Sequence, residues 1–362
     1  MIRTAVDFKG RRAAQLENDQ VRVTVLGEGG HVAEILDKES GVNPLWIPLW
    51  NTIEPGSFGP EHYETYGDGV EARLLSGIMG HNLCLDVFGG PSAAEAHAGL
   101  GVHGEAPVAS YSFSEENGAL VQRAEFPLSL LGFERRLSLK ERAVHFEETL
   151  TNRGSHDRPV AWTQHVTLGP PFVERGKTAF RISAGRSKVF EGDFASGFKW
   201  QKSGAEFDWP HCPMADGSTS DLRVYPAAEK SAGYTTHLMD DSQETARFAA
   251  YSPGLEVLFG YTWKREDFPW LGRWEENCLR THEPWLGRTI TCGMEFGVSP
   301  MPETRREMME RGSLFGVPGY RWIAAGESIC VRYQAAIRRV KLEGSEELDI
   351  YIAAGEDNAG AL

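Results

Sequence analysis

The stretch Val108–Phe126, VASYSFSEENGALVQRAEF, decides the fold class. Val108 to Phe113 and Ala119 to Phe126 read as strands, with Glu116-Asn117-Gly118 between them. Asn-Gly reaches the positive-φ conformations of a tight hairpin turn with little strain, which makes it the strongest short-range hairpin signal. Downstream, Phe133 to Leu139 and Val144 to Leu150 continue a meander, Thr151-Asn152-Arg153-Gly154 turns, and Val160 to Leu168 resumes. Upstream, Gln20 to Leu26 (QVRVTVL) places Val21, Val23 and Val25 on one face, the period-2 pattern of a half-buried strand. His31 to Asp37 follows Gly29-Gly30 as its partner. Later strands are expected at Ala246 to Tyr251, Leu255 to Thr262, Arg288 to Val298 and Ser328 to Ile337. One helix is expected over Pro302 to Arg311, proline being tolerated in a first turn. The pattern predicts an all-β chain: one large antiparallel β-sandwich domain over residues 1–362, with one or two short helices. Trp46 to Val102 breaks it, being dense in Gly, Pro, His and aromatics, and long ordered loops of this kind usually serve function.

Composition narrows the class. The 362 residues are 41% hydrophobic and 24% charged, enough for a sizeable core. A net charge of −14 with no clustered Lys/Arg run argues against nucleic acid, anionic membranes and polyanionic substrates. The five cysteines, Cys84, Cys212, Cys278, Cys292 and Cys330, form no C-x-x-C pair and read as reduced thiols. Met1 to Asp19 has no apolar signal-peptide core and no run is long enough to span a bilayer, so a cytoplasmic protein is expected.

Two histidine segments stand out, Gly101-Val102-His103-Gly104-Glu105-Ala106 and Trp162-Thr163-Gln164-His165, followed much later by Trp274-Glu275-Glu276-Asn277. A neutral imidazole and a carboxylate together move protons on a weakly acidic small molecule near neutral pH. His103 also reads as a histidine satisfied by a backbone carbonyl at a loop-to-strand junction, and His165 as a core histidine. Adjacent Glu275 and Glu276 face opposite sides of any strand that carries them, so one can enter a cleft, where burial raises a carboxyl pKa. His81, Asn82, Asp86, His97 and His237 form a second tier. No metal-ligand spacing such as H-E-x-x-H, no nucleophile elbow and no phosphate or dinucleotide loop occurs, so neither metal nor cofactor is expected. Trp162, Trp274 and other tryptophans offer flat apolar faces on which sugar rings stack.

These segments, in order, resemble the aldose 1-epimerase (galactose mutarotase-like) superfamily, with features of its glucose-6-phosphate 1-epimerase branch. The likeness rests on Gly29-Gly30 before Ile35-Leu36-Asp37, Leu75 to Gly80, Phe88-Gly89-Gly90-Pro91, His103-Gly104, Phe146 to Asn152 leading into Trp162 to His165, and Trp274-Glu275. It implies a sugar substrate and cofactor-free general acid–base catalysis: Glu275 takes the anomeric hydroxyl proton, His165 protonates the ring oxygen, and His103 holds and polarises the sugar. His81, Asn82, Glu276, His237, Trp162 and Trp274 are the implied substrate contacts. Three positions depart from the pattern. Glu105-Ala106-Pro107 stands where the phosphate-binding branch has an arginine, His81-Asn82 replaces an arginine-bearing pair, and Thr236-His237 lacks an aspartate before the histidine. Two other readings of the scaffold are a non-catalytic carbohydrate-binding protein and a sugar-active lyase or hydrolase, the last needing paired carboxylates such as Glu275 with Glu148 or Glu105.

Overall fold

A computed structural model describes residues 1–192, 198, 200–344 and 347–349. Two large antiparallel sheets dominate. The first has twelve strands. From one edge they run Ile2–Phe8, Arg11–Glu17, Val21–Leu26, Val32–Asp37, His81–Asp86 and Arg158–Leu168, then Ile290–Gly297, Trp270–Asn277, Ser231–Met239, Ala184–Val189 and Glu206–Asp208. The twelfth, Arg321–Ile323, pairs with the start of Arg158–Leu168. The second sheet has eight strands, in the order Ala179–Ile182, Thr245–Ser252, Val257–Lys264, Ser328–Arg339, Ala143–Asn152, Leu131–Lys140, Ala119–Phe126 and Ser112–Glu116. Their facing sides share one apolar core, in which Val23, Leu83, Trp162 and Phe296 of the first sheet meet Leu120, Phe146, Phe259 and Tyr333 of the second.

The Asn117-Gly118 turn forms as read, with both residues at positive φ, and Ala119–Phe126 keeps the expected bounds. Its partner begins later, at Ser112. Pro107, which has no N–H to give a ladder, sits in the 3-10 turn Ala106–Val108. Tyr111 then leaves the expected strand to give its N–H to the Gly27 carbonyl (2.7 Å) and its hydroxyl to the Ala106 carbonyl (3.1 Å). Gly30, at φ +60°, makes room: a Cβ there would lie 2.5 Å from the Tyr111 ring. The helix starts at Arg305 rather than Pro302, because Thr304 and Glu307 form a reciprocal capping box. Trp46 to Val102 is more regular than expected, containing His81–Asp86 and the short helices Tyr63–Tyr66, Ala72–Gly77 and Ala93–His97. Among the described residues no helix is long and apolar enough to cross a membrane.

The twelve-stranded sheet is apolar on both faces, and that positions the site. Along Arg158–Leu168, Trp162, Gln164 and Val166 point into the sandwich while Ala161 and His165 point away. The outer face carries its own cluster, including Trp46, Leu75, Phe88, Tyr234, Trp274 and Trp285. Trp46, Leu74, Leu75 and Ile78, from before the strand His81–Asp86, and Phe88, from after it, belong to that cluster.

Candidate active site

A cleft of about 250 Å³ opens in this outer layer, slightly below the roughly 300–1,000 Å³ of most small-molecule pockets. Three of the side chains that line it, His103, His165 and Glu295, stand together. His165 and Glu295 are directly opposed across the ladder between Arg158–Leu168 and Ile290–Gly297, and His165 Nε2 lies 3.1 Å from Glu295 Oε1. His103 comes from a loop, its ring centroid 5.2 Å from that of His165.

Local sequence explains each placement. His103 sits at φ +67° and Gly104 at +83°, and a Cβ on Gly104 would fall 2.1 Å from the Leu85 carbonyl oxygen. The turn therefore packs against the end of His81–Asp86, with His103 N–H donating to the Gly89 carbonyl and Leu85 N–H to the His103 carbonyl, both at 3.1 Å. His103 Nδ1 donates to the Phe88 carbonyl (2.6 Å). A carbonyl only accepts, so in the neutral ring the lone pair is on Nε2. Glu295 has space because of Gly293, two residues earlier on the same face, where a Cβ would lie 2.3 Å from Glu295 Oε1. His165 Nδ1 pairs with Thr167 Oγ1 at 2.9 Å, fixing the ring.

Burial sets the protonation states. Desolvation pushes the Glu295 carboxyl well above the ordinary carboxylate range. Desolvation, helped by the charge of a protonated His103, pushes His165 well below the usual imidazole value. His103 falls to about 4, mainly by desolvation, with the Phe88 carbonyl pulling upward and Arg280 downward. Both shifts in the His165–Glu295 pair favour an uncharged acid beside an uncharged imidazole. Moving one proton across 3.1 Å converts this into an ion pair of the same net charge.

Of the residues singled out from the sequence, His103, His165 and Trp274 line the cleft. Glu275 does not reach it. The strand Trp270–Asn277 turns Trp274 outward, so Glu275 faces the interior, where its carboxylate pairs with Arg273 (2.9 Å) and accepts from the Ser231 hydroxyl. Glu276 does face outward, but its Oε1 accepts the backbone N–H groups of Leu279 (2.7 Å) and Arg280 (2.9 Å), so it shapes the chain beside the cleft rather than lining it. His81 points inward to Gln164 and Tyr261. His237 is held inside by Ser187 and Thr235, and Trp162 is in the sandwich core, bonded to Glu148. Asn82 is buried on the outer face, outside the cleft lining. Glu105 caps Leu128 and Ser129 N–H groups and Glu148 lies between the sheets, so neither joins a carboxylate pair at the cleft.

Sequence reasoning missed Glu295. Gly293-Met294-Glu295-Phe296-Gly297 alternates small or polar with apolar residues, and a single acid facing away from two core side chains was the available signal. Arg280 was also missed. Its guanidinium packs 4.8 Å from the Trp285 ring centre and 5.7 Å from that of Trp274.

Structural comparison places this geometry on a known scaffold. A "putative aldose 1-epimerase" from Klebsiella pneumoniae superposes with a TM-score of 0.69 at 14% identity, over 100% of this chain and 88% of that one. The fold is galactose mutarotase-like. A galactose mutarotase-like protein from Clostridium acetobutylicum follows at TM-score 0.60 and 13% identity, covering 94% of this chain and 99% of its own. A "putative aldose 1-epimerase" from Escherichia coli K12 gives 0.59 and 11%, covering 91% and 100%. No family model matches the sequence, and no curated protein matches it. At these identities the likeness is one of fold.

Proposed function

We propose that the chain is an isomerase of aldose 1-epimerase type, which interconverts the anomers of a small cyclic hemiacetal using His165 and Glu295. The observation that carries this is the 3.1 Å contact of His165 Nε2 with Glu295 Oε1 in the lining of a cleft that also receives His103. Glu295 takes the role that the sequence resemblance gave to Glu275.

Ring opening removes a proton from the anomeric O1 and delivers one to the ring oxygen O5 as the C1–O5 bond breaks and C1=O1 forms. With Glu295 as carboxylate and His165 as imidazolium, Glu295 accepts from O1 and His165 donates to O5. The pair begins as an ion pair and ends uncharged, the form that burial favours. Rotation about C1–C2 presents the other carbonyl face, and closure reverses both transfers. No net proton enters or leaves, so a buried site needs no exchange with solvent. His103 Nε2 accepts a sugar hydroxyl, its ring direction fixed by Phe88.

The test is anomer exchange followed by NMR saturation transfer across a panel of free sugars. Acceleration of at least one sugar above its buffer rate is expected. Binding without acceleration of any sugar refutes the isomerase and leaves a binding protein.

A further inference from the structure

The hydrogen bonds that place His103 run to Leu85, Phe88 and Gly89. Asp86 sits among these residues, at the end of the strand His81–Asp86, with φ +73° and 2% exposure. Aspartate and asparagine are the side-chain-bearing residues that enter this left-handed backbone most readily. Its carboxylate receives two guanidinium forks. Arg158 gives Nε to Oδ1 at 2.7 Å and Nη2 to Oδ2 at 2.8 Å, and Arg305 gives Nη1 to Oδ1 at 3.0 Å and Nη2 to Oδ2 at 2.5 Å. Arg158 opens the strand that carries His165, and Arg305 opens the helix Arg305–Arg311. Arg305 Nε reaches on to Glu95 at 2.8 Å, so two cations face two carboxylates. Just before that helix, the Glu303 carbonyl accepts Gly89 N–H at 3.0 Å, and a Cβ on Gly89 would lie 2.3 Å from the Pro302 carbonyl oxygen.

Resting on the isomerase reading, we propose that Asp86 is a positioning residue: its doubly forked carboxylate locks the turn Leu85–Gly89 to the strand of His165, and so sets where His103 Nε2 meets the sugar. Asp86 is outside the cleft lining and acts through His103. One guanidinium would tie the turn to a single element. Two, from a strand and a helix, hold it in two directions, and bidentate pairs constrain angle as well as distance. A left-handed backbone on a residue with a side chain persists where its surroundings over-determine it, and such residues cluster at functional sites.

The experiment uses Asp86→Asn, which keeps the side-chain shape, tolerates the left-handed backbone and removes the charge. Two properties of the folded full chain are read: the nitrogen NMR shifts of the His103 ring, which report its tautomer, and sugar anomer exchange. The wild-type ring is expected to hold its proton on Nδ1. Asp86→Asn is expected to mix the two tautomers and to lower kcat/KM about 10–100-fold, up to the effect of roughly 1 Å of misplacement. In a His103→Asn background, where no ring remains to be placed, the same change should alter kcat/KM less than about threefold. An equal loss in both backgrounds, an unchanged tautomer, or a wild-type exchange rate in Asp86→Asn overturns the proposal and leaves a structural ion pair. If Asp86→Asn does not fold, Arg305→Lys takes its place under the same criteria. That side chain is 25% exposed, and lysine keeps the charge but loses the fork, so a loss of at least about threefold is expected. No acceleration of any sugar by the wild-type protein removes the isomerase reading, and the His103 tautomer in the variants then decides alone whether Asp86 places the ring.

Discussion

Replacing Glu148 with Gln tests how the sandwich holds the strand that delivers His165. Glu148 and Arg135 are 0% and 1% exposed, and Arg135 Nε meets Glu148 Oε1 at 2.7 Å. Three more donors converge on the carboxylate: Tyr333 hydroxyl at 2.6 Å, Gln164 Nε2 at 2.6 Å and Trp162 Nε1 at 3.2 Å. They come from both sheets, and Gln164 immediately precedes His165. In Glu148→Gln one oxygen becomes an NH2 that opposes donors instead of accepting from them, and Arg135 keeps a buried charge without its counterion. Breaking one side of a buried pair costs about 3–5 kcal/mol. Urea unfolding followed by tryptophan fluorescence should show a loss of that size. The double variant Arg135→Met/Glu148→Leu should cost less than the sum of the two single changes, because no orphaned charge remains. A loss below about 1 kcal/mol in Glu148→Gln, or strict additivity in the double variant, refutes the reasoning.

Three further outcomes are expected. Acid should unfold the protein early: burial lowers the pKa of His31 and His237 to about 3, of His103 to about 4, and of His81 and His165 well below the ordinary value. Below pH 6.5 the unfolded chain binds these protons and the native one does not, while Glu295, kept protonated by burial, offsets one of them above about pH 4.5. Stability should therefore fall by on the order of 5 kcal/mol per pH unit toward pH 5, and thermal melts that stay flat from pH 7 to 5 contradict this. Gly293→Ala should push the Glu295 carboxyl off its position and lower the exchange rate about a hundredfold, the effect of roughly 1 Å of misplacement, with a wild-type rate as the contrary result. Glu275→Gln should weaken the fold by about 3–5 kcal/mol in the same denaturation assay, because Arg273 loses its buried partner, yet leave exchange in the folded fraction within about threefold of wild type; a hundredfold loss there would return the catalytic role to Glu275.

Much of the fold was legible because antiparallel strands write a period-2 pattern and turns write Asn-Gly. Ala119–Phe126 was read to the residue. The site was harder. His103 and His165 were found because glycine and aromatic neighbours mark them out, and the structure brings them to one cleft. The resemblance points to Glu275 and nothing in the sequence flags Glu295, because both sit on strands buried on both faces, where hydrophobic alternation no longer reports which side is out. Trp274 and Met294 are equally apolar, yet Trp274 faces the cleft and Met294 the sandwich core. Only ladder register separates them: Glu295 is opposite His165, and Glu275 is opposite Cys292. His81 and His237 misled for a related reason. A polar residue inside a sandwich looks like a site until its partners, Tyr261 and Gln164 or Ser187 and Thr235, are seen.

The most direct measurement of the central claim is the anomer exchange rate of Glu295→Gln, at saturation, with the sugar that the wild-type protein exchanges fastest. Gln keeps the shape and cannot carry the proton, so the rate should drop at least about a hundredfold while sugar affinity, read by tryptophan fluorescence, stays within about tenfold. Exchange at the wild-type rate would remove Glu295, and with it the His165–Glu295 pair, from the chemistry.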